Sequence, residues 1–218
     1  DYVCTPFKHM LGDYIEALEL GADVLVQFGG FCRLSYYGEL HELILRDLGY
    51  EFQMLNFAAG LEQGYLGFAK ECLKTVNADI DIPHGVRQLL ATASMVNKLD
   101  EAYDFYLANA GFEAEEGAFR RSWQDFMDAM ASCTTAREIS DGFNRAMQQM
   151  RSIPLDKPAQ PIRIGIVGEI FTAIDAHSNL GLDEKLLAMG VELHRMVNLS
   201  NRMIRYNEDN MRVNVSEY

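Results

Sequence analysis

The chain has 218 residues, 49% of them hydrophobic and 23% charged, with a formal net charge of −13. That length allows one large domain or two small ones with an ample core. The acidic balance argues against nucleic acid or an anionic membrane as the main partner, and no apolar run approaches the roughly 20 residues of a membrane span.

In chain order, Asp13 with Glu16 reads as a capping box that opens a helix from Tyr14 to Leu20, stopped by Gly21. Asp23 to Phe28 reads as a short strand ending in Gly29-Gly30. Leu40, Leu43, Ile44 and Leu48 then recur at helical spacing over Tyr37 to Leu48, and Gly49 closes that helix. Glu51 to Phe57 is the next strand, which makes a βαβ unit with a parallel sheet and a right-handed crossover.

From Leu61 to Ile153 the pattern turns helical. Val86, Leu89, Leu90, Ala93 and Val96 form one stripe, continued by Tyr103 and Tyr106. Phe119, Trp123, Phe126, Met127 and Met130 form a second, and Ile139, Phe143, Met147 and Met150 a third. Breaks are expected at Pro83, Gly111 and Thr134-Thr135. Pro154 to Pro161 is a stiff linker, because its prolines exclude a helix interior. Arg163 to Gly168 then reads as a buried parallel strand, Asp183 to Met189 as a helix closed by Gly190, Val191 to Val197 as a strand and Asn198 to Tyr206 as a helix. The expected fold is α/β, a mostly parallel sheet flanked by helices and interrupted by a helical insertion. Residues 1–60 and 154–218 would complete one core with all four strands in one sheet, and 61–153 would be the insertion.

Four cysteines, at positions 4, 32, 72 and 133, form no C-x-x-C pair and no evident disulfide framework. With no signal-peptide pattern, the expectation is a reducing, cytoplasmic setting. Asp1 opens directly into mid-fold sequence, so a fragment of a longer chain is expected. Cys32 follows Gly29-Gly30 at the carboxyl end of a parallel strand, where open α/β sheets hold their ligands. The two glycines permit close approach, and Arg33 favours the thiolate that binds metal. A plain turn followed by a small apolar side chain fits the same residues. Cys4 precedes Pro6 and so lies outside the first helix. The strand returns the chain toward the edge where Cys4 begins, so the sulfurs of Cys4 and Cys32 should share one rim, about 6–7 Å apart across a cubane.

The other candidates are weaker. Gly29-Gly30 lacks both the G-x-G-x-x-G and the P-loop pattern, although Arg33 with the next helix start could hold a phosphate. His9 and His194 are scattered rather than paired. Glu169, at the end of a strand, reads as a loop anchor before an acid or base. Cys72 and Cys133 read as half-buried thiols within helices, and the methionines as core filler.

Cys4-Thr5-Pro6-Phe7-Lys8, Leu11 to Leu18, Gly21-Ala22-Asp23, Cys32-Arg33, Tyr36 to Leu40 and Asp47 to Tyr50 together resemble one family. It is that of CoA-substrate-specific enzyme activase-related proteins, kin to 2-hydroxyacyl-CoA dehydratase components. Arg163 to Ile170, Asn179-Leu180, Lys185-Leu186 and Met189 to Glu192 look like that family's later strand–helix–strand block. The family loop reads Gly-Gly-Cys-Gly-Pro-Cys-Arg, whereas here it is Gly29-Gly30-Phe31-Cys32-Arg33, with one cysteine fewer.

The resemblance implies oxygen-sensitive, cysteine-ligated 4Fe-4S chemistry of anaerobic bacteria, with Cys4 and Cys32 as ligands. Implied partners are an activase or dehydratase subunit, or a second copy of the chain, and neither nucleic acid nor membrane. Three readings stand at this point: a redox-associated module, a noncatalytic scaffold that has lost the cluster, and an acyl-CoA or nucleotide-binding domain.

Overall fold

The computed structural model describes residues 4–27, 36–56 and 82–200. The chain divides into two units, Asp1–Asp81 and Ile82–Tyr218.

In the first unit, α1 spans Thr5–Glu19 with Cys4 as its N-cap and Pro6 in its first turn, where the missing N–H loses no bond. The helix therefore begins well before the expected start at Tyr14, and Asp13 and Glu16 lie in mid-helix instead of forming a cap. The amphipathic face runs further back than the capping signal, because Phe7 is buried and Leu11, Tyr14, Ile15 and Leu18 pack onto the core. Gly21, at φ 96°, closes α1: its N–H donates to Leu18 O at 3.0 Å and that of Ala22 to Ala17 O at 2.9 Å. Both bonds of a Schellman cap are present.

Strand β1 (Val24–Gln27), helix α2 (Tyr37–Asp47) and strand β2 (Gln53–Asn56) follow. The strands pair in parallel from Val24 opposite Gln53 to Gln27 opposite Asn56, as the βαβ reading expects. The buried face of α2 is Gly38, His41 and Leu45, whereas the expected stripe residues Leu40, Leu43 and Leu48 are exposed. Gly38 decides this orientation. A Cβ there would lie 2.3 Å from Asn56 Nδ2, so glycine lets the helix come down on the end of β2.

In the second unit, α3 (Ile82–Asn109) and a 3₁₀ turn (Ala110–Phe112) precede α4 (Ala118–Ala131) and α5 (Ala136–Ser152). Then come β3 (Arg163–Ile166), α6 (Ile170–Ile174), α7 (Leu182–Leu187) and β4 (Glu192–Arg195). Phe126, Met130, Ile139, Phe143 and Met147 form one buried cluster with Ala91 and Ala102, so the stripes of α4 and α5 face inward as expected, except that Met127 at the edge of the α4 stripe is exposed. On α3 the small residues Ala91 and Ala102 make the close contact and Leu90 turns outward at 66% exposure. Thr135 and Glu138 form the full capping box of α5. The proline-rich stretch runs extended along the 3₁₀ turn, with Asp156 N donating to Phe112 O at 2.8 Å.

Strands β3 and β4 are parallel, from Arg163 opposite Glu192 to Ile166 opposite Arg195. Contrary to the buried strand expected there, β3 exposes Arg163 and Gly165 and turns only Ile164 and Ile166 to the interior. The expectation of one four-stranded sheet is also corrected: among the described residues the strands form two separate parallel pairs. Each pair has its apolar face covered by helices of its own unit, so neither needs further strands to bury it. Leu193 of β4 and Leu187 of α7 are buried with Tyr106, Leu107, Phe119 and Met150, so the helices α3–α5 form the other half of the β3–β4 core. The remainder of the helix expected over 198–206 lies outside the described residues beyond residue 200.

Candidate functional site

The carboxyl edge of the β1–β2 pair gathers the first turns of α1 and α2. His41 of α2, fully buried, donates from Nε2 to the carbonyl oxygen of Phe7 at 2.9 Å. Its ring stacks on Phe7 at 4.1 Å and meets the edges of Tyr14 and Tyr37 at 5.4 and 5.9 Å. Burial pushes its pKa down, with the Phe7 carbonyl opposing. A neutral imidazole in the Nε2–H tautomer thus clamps the start of α1 to α2. Beside it the Tyr14 hydroxyl donates to Gln27 Oε1 at 2.7 Å. Burial and the neighbouring Asp13 charge push that phenol up to about 12, so it stays a donor.

Cys4 stands at this edge, at the head of the clamped helix. Its thiol is free and exposed, and its side chain makes no capping bond. The other predicted site residues, Gly29, Gly30, Cys32 and Arg33, lie outside the described residues, as does Cys72. The expected separation of Cys4 and Cys32 falls there too. Among the described residues no group of three or more histidine, cysteine or acidic side chains is placed to hold a metal ion. Cys133 is half-buried at the end of α4, with its sulfur bonded to Ala129 O at 3.3 Å. Glu169 is an anchor as read: its carboxylate caps α6, accepting from Phe171 N at 3.1 Å and Thr172 N at 2.9 Å.

The second unit carries a charged node at its own carboxyl edge that sequence reasoning missed. Arg195, the last residue of β4, pairs through its guanidinium with Asp183 Oδ2 on α7, and both side chains are 8% exposed. The Tyr103 hydroxyl of α3 donates to the same Oδ2 at 3.0 Å, and the Arg195 guanidinium lies 4.9 Å over the Tyr103 ring. Burial, then the Asp183 charge, pushes the Tyr103 phenol well up, with Arg195 opposing. Asp183 Oδ1 and Arg195 Nε are buried without a hydrogen-bond partner. Residues 103, 183 and 195 share no local motif. The one signal was strand alternation, which puts Arg195 on the same face as Leu193, a charge in register with the apolar core.

On the opposite face of β4, Glu192 gathers Lys157 Nζ at 2.8 Å, His194 Nε2 at 2.7 Å and Arg163 Nε at 3.1 Å. His194 is thus tied to a structural carboxylate.

The fold defines a protein of mixed helices and small parallel strand pairs, α/β only in the general sense. Comparison with family models, curated proteins and solved structures finds no match to this chain. Among the described residues no helix is long and apolar enough to cross a membrane.

Proposed function

We propose that the chain is a redox-associated module of an activase/2-hydroxyacyl-CoA dehydratase-type system, holding an iron–sulfur cluster through Cys4 and Cys32 in its full-length context. The observation that carries this reading is the exposed, uncapped thiol of Cys4 at the carboxyl edge of a parallel strand pair. Edges of that kind are where α/β proteins gather ligands from separate loops. The donor chemistry fits, since soft thiolates match cluster iron. A cubane takes four ligands, so Cys4 and Cys32 would supply half, with the rest from other sequence or a partner subunit, either an activase or dehydratase component or a second copy.

When bound, the cluster supplies one-electron transfer. The chain's own residues hold the ligand turn. His41 and Phe7 fix the first turn of α1 against α2, and Tyr14 on Gln27 ties the same helix to β1.

Anaerobic iron–sulfur reconstitution of the full-length protein tests the reading. Cys4→Ala and Cys32→Ala should each reduce bound iron, and Cys72→Ala and Cys133→Ala should leave it unchanged. Iron content unaffected by both of the first two variants would leave the scaffold reading in its place.

A further inference from the structure

The aromatic residues around the charged node are arranged for a chemistry that the cluster reading does not use. Trp123 is the single tryptophan of the chain and is half-buried. Its ring centroid lies 4.9 Å from that of Tyr103, which is van der Waals contact. Tyr103 in turn stacks on Tyr106, at 5.5 Å and 8° between planes. The neighbours further out are Phe119 and Phe126, whose rings are far harder to oxidise. An electron hole that enters at Trp123 is therefore confined to the Trp123, Tyr103 and Tyr106 rings.

We propose that Trp123 and Tyr103 form a one-electron relay with Asp183 as its proton acceptor. A one-electron oxidising radical removes an electron from the Trp123 indole. Tyr103 returns an electron to that indole and passes its phenolic proton to Asp183, leaving a neutral phenoxyl radical on Tyr103 and a carboxylic acid on Asp183. Charge and protons balance: one electron leaves the protein, and one proton moves along the existing 3.0 Å hydrogen bond.

Three features favour this path. A phenol is oxidised more easily than an indole only when its proton has somewhere to go, and Tyr103 is bonded to a carboxylate. At Tyr106 the strongest neighbouring charge is the Arg120 cation, which can take no proton. Arg195, lying over the Tyr103 face, disfavours a positively charged phenol radical, so electron and proton must leave together. The Tyr103 hydroxyl already donates to Asp183 Oδ2, so the proton has only to cross one existing bond to the oxygen that receives it. The relay is independent of the cysteine edge and stands or falls without it.

Pulse radiolysis of the full chain with azidyl radical, which oxidises indole preferentially, tests the proposal. The absorption of the indole radical cation, which keeps its N–H, should decay as the phenoxyl absorption rises, at a rate independent of protein concentration and slowed in heavy water. Tyr103→Phe should slow that conversion at least about tenfold, Asp183→Asn should slow it and abolish the solvent isotope effect, and Tyr106→Phe should leave the rate unchanged. An unchanged rate in Tyr103→Phe, loss of conversion in Tyr106→Phe instead, or no intramolecular conversion in the parent chain would overturn the relay. Should Asp183→Asn fail to fold by circular dichroism, the isotope effect in the parent chain decides the proton step, and its absence excludes Asp183 as acceptor.

Discussion

In both units a helix ends on a left-handed glycine and the chain turns at once into a parallel strand: Gly21 before β1, Gly49 before β2 and Gly190 before β4. The carboxyl edges built on these joints differ. Among the described residues of the first unit the buried polar groups are neutral, His41 on a carbonyl and Tyr14 on a carboxamide. In the second, a full ion pair, Arg195 with Asp183, is held at 8% exposure under an aromatic layer. Among the described residues, the cluster of the first unit is built on Leu25, Leu45 and Phe52, with Phe7 and Leu55 also buried, whereas helices α3, α4 and α5 contribute to two clusters in the second. A buried charge pair needs close packing and hydrogen-bond partners to offset its desolvation. Here the cluster of Tyr106, Leu107, Phe119 and Leu193 gives the packing and Tyr103 a hydrogen bond, while Asp183 Oδ1 and Arg195 Nε stay unpartnered.

The largest test of that contrast is Arg195→Met. It leaves Asp183 buried with only a tyrosine donor and should cost about 3–5 kcal/mol in urea unfolding. The double variant Arg195→Met with Asp183→Leu should recover most of the loss. If the single variant is as stable as the parent, the pair is solvated in solution and the contrast between the edges is void.

Close approach comes next. A Cβ at Gly111 would meet the backbone oxygens of Val191 and Leu187 at 2.8 and 2.9 Å, while one at Gly38 would meet the side chain of Asn56. Backbone cannot swing aside as a side chain can. Gly111→Ala should therefore cost about 1–3 kcal/mol by thermal unfolding, and Gly38→Ala less. The reverse order would show that the α2–β2 contact is the more rigid.

The Thr135 cap is smaller again. Thr135→Ala removes the oxygen that accepts from Glu138 N at 3.2 Å, and about 1 kcal/mol should be lost on denaturant titration.

The pH effects are the smallest and separate the units by window. The His41 pKa is lowered from its ordinary 6.5 by burial, so the unfolded chain takes up that proton first. Its contribution is whole above about 6.5, declines as pH falls from there toward the folded value, and is then constant. At Glu192 burial raises the carboxyl pKa, but hydrogen bonds from Lys157 and His194 and the charges of Lys157 and Arg163 outweigh it, and the net shift is downward. That contribution is whole above the ordinary 4.5 and is lost as pH falls through the folded value. The first unit should thus soften at mildly acidic pH before the second does. Thermal melts across pH should lose the upper slope in His41→Gln and the lower one in Glu192→Gln. Persistence of the upper slope in His41→Gln would assign it to another group.

Local chemistry was legible where it sufficed to decide the outcome. The extent of the helix from Tyr37 to its close at Gly49 (though not its buried face), the parallel pairing of β1 with β2, the inward stripes of α4 and α5 apart from Met127 and the anchoring role of Glu169 follow from helical spacing, glycine caps and a carboxylate at a helix start. These depend on neighbours within a few residues, and the sequence displays such neighbours directly. Where a local signal had a stronger rival, it misled: Asp13 with Glu16 looked like a cap, but the apolar face through Phe7 and Leu11 carried the helix back to Thr5.

Tertiary structure alone decided the rest. Which face of α2 is buried turned on Gly38 meeting Asn56 across the strand end. That the strands form two pairs, and that helices α3–α5 complete the core of the second, turned on which surfaces cover one another. The node of Tyr103, Asp183 and Arg195 joins positions 80 and 12 residues apart. No periodicity spans such separations, because a side chain's partner across the core is set by the path of the whole chain, whereas its partner one turn away is set by the helix itself.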